Sequence, residues 1–208
     1  FISDTPNEIQ PVAASSENTI IKSAVMSLDI ENHIPLDGRL DFLISNDYWF
    51  PPCLDSLVSN LILEEQAISE TCVDYINKHY SSLDNISVEC EEEDDCSDDY
   101  NFYYVEFDFG NNEPVFFGKL ADMSLLLPSY IDDEGYVQTA SSYSDSLNLL
   151  GDKLDWLSKD NLLYVTPQVI LLKSANDDSN GYRTLRSTDY ISFESFLRIE
   201  IDMGEVIE

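Results

Sequence analysis

Carboxylates are the reactive side chains this sequence holds in quantity: 41 Asp and Glu among 208 residues, against ten Lys and Arg and two His, for a formal charge of −31. They serve three kinds of chemistry. A spaced pair can act as acid and base on a glycosidic bond, a ring of them can ligate a hard cation such as calcium, and an array of them can imitate nucleic-acid phosphates. A chain with so many carboxylates contains acid pairs by chance, so pairs alone do not select a glycosidase. The segments DDEG at Asp132–Gly135 and DDSNG at Asp177–Gly181 have the turn residues of a calcium loop. Both lack its alternating ligands and closing bidentate Glu, and both read as Asx turns.

Other catalytic groups are sparse. His33 and His79 stand apart, outside any H-x-x-x-H or H-x-E pattern. Cys53, Cys72, Cys90 and Cys96 form no C-x-x-C pair and have no paired His to complete a zinc site, so they read as the reduced thiols of a cytosolic protein. Cys90 and Cys96 bracket an acidic run and could close a small disulfide loop if the protein is exported. With seven glycines and no G-x-G-x-x-G, G-x-x-x-x-G-K or G-x-S-x-G, there is no phosphate cradle and no nucleophile elbow. The expectation is a protein that is not an enzyme, with no catalytic residue, no cofactor and no metal. Direct binding to nucleic acid is opposed by the charge, because affinity for phosphates comes from Lys and Arg.

The charge is spread along the chain: −6 over residues 1–50, −13 over 51–100, −7 over 101–150 and −5 over 151–208. Removing the densest run, Glu91–Asp99, would still leave −24. Acidic chains of low hydrophobicity stay disordered. This one is 43% hydrophobic, with ten Phe, twelve Tyr and two Trp, so it is expected to fold and to carry its charge on a folded surface. The residues expected to meet a partner are the acids of the dense middle. They are Glu64, Glu65, Glu70 and Asp74 on a helix, the run Glu91, Glu92, Glu93, Asp94, Asp95, Asp98 and Asp99, the strand pair Glu106 and Asp108, and the loop Asp132, Asp133 and Glu134. Six of the ten basic residues lie between Lys153 and Arg198. That C-terminal part is the less acidic side, suited to face away from a basic partner or to pack against the protein's own copy as a homodimer.

Several elements must carry these groups. Residues 1–18 read as an extended arm or linker, followed by one acidic α+β domain over 19–208 with a subdivision near residue 100. Thr19–Glu31 alternates through Ala24, Met26, Leu28 and Ile30, and Arg39–Ser45 reads as its hairpin partner. Leu54, Leu57, Val58, Leu61, Ile62, Ile68, Cys72, Tyr75 and Ile76 recur at helical spacing to about residue 80. Tyr103–Phe109 and Val115–Leu120 form a β-hairpin. Ser144 caps a second helix running to about Ser158, with Leu147, Leu150, Leu154 and Leu157 as its buried stripe. Leu162–Leu172 is strand-like but carries Pro167, which makes it an edge strand or two short ones, and Phe196–Met203 is a half-buried strand. The fold class expected is therefore α+β, an antiparallel sheet with hairpins and two main helices. No segment reaches the roughly 18 apolar residues of a membrane span, and a soluble cytoplasmic protein is expected. The chain starts at Phe1 rather than Met, as it would after loss of a tag, leader or upstream segment.

Duplex DNA carries about one charge per 1.7 Å of axis, so 31 charges match roughly 53 Å, or about 15 base pairs. Acids two apart on a strand lie about 6.5 to 7 Å apart, and acids four apart on a helix about 6 Å, close to the spacing of successive phosphates. In composition and charge distribution the chain resembles the DNA-mimic inhibitors of phages and mobile elements, the anti-restriction and anti-CRISPR proteins among them. The resemblance implies a non-enzymatic inhibitor that occupies the basic groove of a DNA- or RNA-binding protein of host defence. An immunity protein that neutralises a basic nuclease toxin uses the same complementarity and is the alternative. Halophilic adaptation fits less well, since this chain is poor in Gly and rich in Ile, Leu, Phe and Tyr.

Overall fold

Residues that alternate between apolar and polar put one row of side chains on each face of an extended chain, and this pattern dominates the fold. A computed structural model describes residues 5–11, 20–51, 78–79, 85–90, 102–108, 113–158, 161–171 and 184–202. Among the described residues there are eleven strands and one short helix, besides the helical pair Lys78 and His79. The strands are β1 (Asn7–Ile9), β2 (Ile20–Asn32), β3 (Gly38–Ser45), β4 (Asn85–Cys90), β5 (Phe102–Asp108), β6 (Val115–Leu125), β7 (Tyr130–Ile131), β8 (Val137–Thr139), β9 (Ser141–Leu149), β10 (Leu163–Leu171) and β11 (Ile191–Asp202). The helix is α1 (Asp152–Leu157). The α+β class with two main helices is therefore corrected to a mostly antiparallel β protein.

The correction has a local cause. Leu147, Leu150, Leu154 and Leu157 are spaced like a helix stripe, but Ser141–Leu149 also alternates, with Ser142, Ser144, Ser146 and Asn148 exposed and Ser141 and Leu149 buried. Serine is a mediocre helix former, and pairing with a long neighbouring strand decides in favour of β9. Gly151, at φ 56°, then turns the chain, Leu150 is left 70% exposed, and of the helix expected to run to about Ser158 only α1 forms, burying Trp156 and Leu157. Of the helix expected from Leu54 to about residue 80, Lys78 and His79 are described and are helical; the rest lies outside the described residues.

Three sheets result, ordered β1-β10-β3-β6-β5-β4, β11-β2-β9 and β7-β8. The hairpin expected at Tyr103–Leu120 is present, β5 pairing antiparallel with β6 so that Glu106 faces Phe116 and Phe107 faces Val115. The opening hairpin is not formed. β2 lies between β11 and β9, while β3 lies between β10 and β6. Their burial explains the separation, because β2 hides alternate residues only, whereas β3 is buried on both faces from Leu40 to Ser45. β10 is one continuous strand through Pro167, flanked by β1 and β3, and β1 covers it only from Leu163 to Val165. Thus β1 pairs with no residue as far along as Pro167, whose missing N–H would weaken a ladder. Within the first 18 residues Asn7–Ile9 form this β1.

The chain forms two compact units, each assembled from three segments. The first comprises Phe1–Gln10, Phe42–Leu120 and Asn161–Gln168, and the second Pro11–Asp41, Ala121–Asp160 and Val169–Glu208. In the first, Phe117 is fully buried and meets Phe50 and Phe107 edge-on at 5.6 and 5.5 Å between ring centres, a geometry that aromatic quadrupoles favour. In the second, Ala24, Met26, Leu28 and Ile30 of β2 are buried, and α1 packs against β2. Fully buried Asn32 donates from Nδ2 to the Leu126 carbonyl at 2.9 Å and accepts the Ile34 amide at 2.8 Å, which fixes the end of β2.

Two substitutions test this packing. A Cβ at Gly38 would sit 2.6 Å from the Ile170 carbonyl oxygen, so Gly38→Ala is expected to destabilise by about 2 kcal/mol through forced backbone movement. Arg39 grips Asp41 through Nε at 2.6 Å and Nη2 at 2.7 Å, and the Asp41 side chain is only 2% exposed. Arg39→Met removes both of these bonds from a buried carboxylate and is expected to cost about 3 kcal/mol. Urea unfolding curves check both values.

Candidate partner-binding face

The three-stranded sheet has one apolar face and one open face. Because β2 buries its even-numbered residues from Ala24 to Asn32, its odd-numbered Ser23, Val25, Ser27, Asp29 and Glu31 point the other way. Antiparallel pairing brings matching residues of both neighbours alongside. The open face is thus a grid of short rows: Ser192, Glu31 and Ser142; Glu194, Asp29 and Ser144; Phe196, Ser27 and Ser146; Arg198, Val25 and Asn148; Glu200 and Ser23. Rows of this kind repeat about every 6.8 Å, with strands about 4.8 Å apart. On the two outer strands, β9 and β11, every residue of the grid is exposed.

Hydroxyl groups hold the carboxylates of this face. Ser144 Oγ donates to Asp29 at 2.5 Å, Tyr190 Oη to Glu31 at 2.8 Å and Ser23 Oγ to Glu200 at 3.2 Å. Ser27 and Ser146 share a hydroxyl contact of 3.1 Å between them. The hydrogen bond that the Tyr190 phenol donates to Glu31 holds it above its ordinary pKa, since ionisation would surrender that bond and then set two anions together. A shallow groove of about 390 Å³ opens at the acidic end, lined by Asp29, Glu31, Ser142, Ser144, Ser192 and Glu194 among others. Glu194 lies directly across from Asp29, a like-charge juxtaposition that destabilises a sheet unless a cation meets it.

Tyr143, on the opposite face of β9, anchors the sheet from below. Its hydroxyl donates to the Ser124 carbonyl at 2.7 Å and accepts the Leu126 amide at 3.3 Å, and burial raises its pKa. His33 completes the end of β2. Its Nδ1 lies 3.1 Å from Asp189 Oδ1, whose side chain is 3% exposed, and its ring stacks on Tyr190. This histidine has a structural partner in Asp189. Among the described residues, no group of three or more His, Cys, Asp and Glu is arranged to hold a metal ion.

The acids expected from the sequence to meet a partner are distributed differently. Glu64, Glu65, Glu70, Asp74, Glu91, Glu92, Glu93, Asp94, Asp95, Asp98 and Asp99 lie outside the described residues. Glu106 is half-buried in β5, flanked by Phe116 of β6 and Ser87 of β4, and Asp108 ends that strand opposite Asn85. Asp132 organises the turn between β7 and β8 as an Asx turn. Its Oδ1 accepts the amides of Tyr136 at 2.9 Å and Glu134 at 3.1 Å, and its Oδ2 accepts Gln138 Nε2 at 2.6 Å. Asp133 and Glu134 are exposed at the tip. The acids of the open face that are absent from those expected to meet a partner are Asp29, Glu31, Glu194 and Glu200. The signal for two of them was present, since they alternate with the apolar row of β2.

The Asp132 carboxyl is held below its ordinary 3.8, chiefly by the Tyr136 amide, which favours the anion. A depressed folded-state pKa contributes stability that is present above the unfolded value and lost as pH falls through the folded one. Asp132→Ala is therefore expected to lower the melting temperature near neutrality. The gap from the parent should stay constant above about pH 5 and close as the pH drops below 3.8. Melting curves of the two proteins across this range check the sign.

The chain matches no family model, no curated protein and no solved structure.

Proposed function

We propose that the protein is a non-enzymatic inhibitor that imitates the charge of duplex DNA and occupies the basic groove of a DNA-binding protein. The observation that carries this reading is the open face of β11, β2 and β9, where Asp29, Glu31 and Glu200 are held by hydroxyls rather than by cations. A hydroxyl fixes the direction of a carboxylate and leaves its charge intact. A fixed array of anions meets a basic surface without paying the ordering entropy that flexible acids would. Its field also steers a cationic partner during encounter.

The partner class is a Lys- and Arg-rich protein that normally grips phosphates, such as a restriction, CRISPR or other nuclease complex of host defence. The protein itself has no affinity for nucleic acid on this reading, and it works in the host cytoplasm. Among the described residues no helix is long and apolar enough to cross a membrane.

The test is competition. Proteins captured from a host-cell lysate on the immobilised chain are eluted with salt and assayed for duplex binding with and without the inhibitor. The inhibitor is expected to displace duplex and to lose affinity steeply as salt rises. Neutralising four acids together (Asp29→Asn, Glu31→Gln, Glu194→Gln and Glu200→Gln) is expected to weaken competition by about tenfold or more, and any one alone by less than about threefold. A captured partner that binds duplex normally while saturated with this protein contradicts the proposal.

A further inference from the structure

Among the described residues β11 is the terminal strand of its sheet, twelve residues long and without proline. Long unblocked edges are templates for further strand pairing, and proteins guard against this with prolines, bulges or clustered charge. The one register shift in its pairing with β2 falls at Glu200/Ile201, where the extra residue, Lys22, belongs to β2, and β11 leaves Phe196 59% exposed at its middle. Two of its charges are unsatisfied within the sheet. Glu194 faces the like-charged Asp29, and Arg198 faces Val25, with no ion pair for Arg198 among the described residues. In a chain with four acids for every base, an arginine left unpaired on an edge strand calls for a partner.

We propose that β11 pairs antiparallel with β11 of a second copy of this chain, about a two-fold axis at Phe196, joining two three-stranded sheets into one of six strands. The sequence of the strand is self-complementary about that residue. Phe196 meets Phe196 of the other copy, Glu194 meets Arg198 twice, and Ser192 meets Glu200 twice, all on the open face. Phe193 meets Ile199 and Ser195 meets Leu197 on the other. A two-fold axis perpendicular to the sheet keeps each side chain on its own face, so only registers that pair residues of equal parity are allowed. Shifting the axis to Leu197 sets Glu194 against Glu200, and shifting it to Ser195 sets Glu194 against Phe196. The register at Phe196 is the one of these three that gives each Glu194 a cation and each Arg198 a carboxylate. The pairing does not rest on what the anionic face binds, although it draws on Glu194 of that face, and it would place two such faces side by side.

The experiment is sedimentation of the full chain at about 0.3 M salt, where repulsion between two copies is screened beyond roughly 5 to 6 Å. The parent is expected at twice its 23.6 kDa chain mass. Glu194→Arg alone sets arginine against arginine, and Arg198→Glu alone sets glutamate against glutamate, so each variant is expected to sediment as a monomer. An equimolar mixture of the two restores opposite charges in both pairs and is expected to dimerise. Glu194→Arg also lowers the magnitude of the net charge and hence the overall repulsion between copies, so its loss of dimer comes from the local pairing and not from added net charge. Both side chains are exposed, and circular dichroism of each variant checks that the sheet is intact. A monomeric parent, a Glu194→Arg variant that stays dimeric, or a folded mixture that stays monomeric overturns the proposal.

Discussion

The constraint that shapes this molecule is self-repulsion: 41 carboxylates share a chain with ten lysines and arginines, so most acids have no cation to meet. Two kinds of strand reconcile that with a core. β3 is buried on both faces, and the buried carboxylate in its interior, Asp41, is gripped through two nitrogens of Arg39. β2 keeps its acids on one side and its Ala24, Met26, Leu28 and Ile30 on the other. Burying an unpaired carboxylate is far costlier than burying a paired one, so the few cations are worth most inside. On the surface, hydroxyls and amides take their place.

That substitution links the structure to the proposed function. A carboxylate paired with lysine is oriented but cancelled, whereas one held by serine is oriented and still charged. Ser144 on Asp29, Tyr190 on Glu31 and Ser23 on Glu200 follow this pattern, as do the amides that hold Asp132. The serine-rich composition of β9 thus has a physical role at Asp29, where Ser144 supplies a donor without diminishing the field. Tyr143 and Asn32 on the other side tie β9 and β2 to residues 124–126, which keeps the face rigid from beneath.

Much of this was legible in the sequence, and the misreadings share one origin. β2, the β5–β6 hairpin and β11 announced themselves through alternation. β9 did not, because its leucines at 147 and 149 continue into Leu150, Leu154 and Leu157 at spacings that also suit a helix, and local pattern does not say which neighbour a segment will pair with. The same blindness to pairing joined β2 to β3, whereas β2 sits between β11 and β9, elements far away in the chain. The binding face is assembled by that pairing. Its acids are few per segment and become dense only when three strands align, so searching for runs of acid pointed elsewhere. Asp132 shows the converse, an acid in a conspicuous run whose carboxylate is engaged by its own turn.

The central claim is that oriented charge on the face of β11, β2 and β9 is what a basic partner recognises. The most direct measurement is the salt dependence of affinity for a captured DNA-binding protein, compared between the parent and the variant neutralised at Asp29, Glu31, Glu194 and Glu200. The account predicts a steep fall of log affinity with log salt for the parent and a distinctly shallower slope, with weaker binding, for the variant. Equal slopes and equal affinities for the two proteins would contradict it.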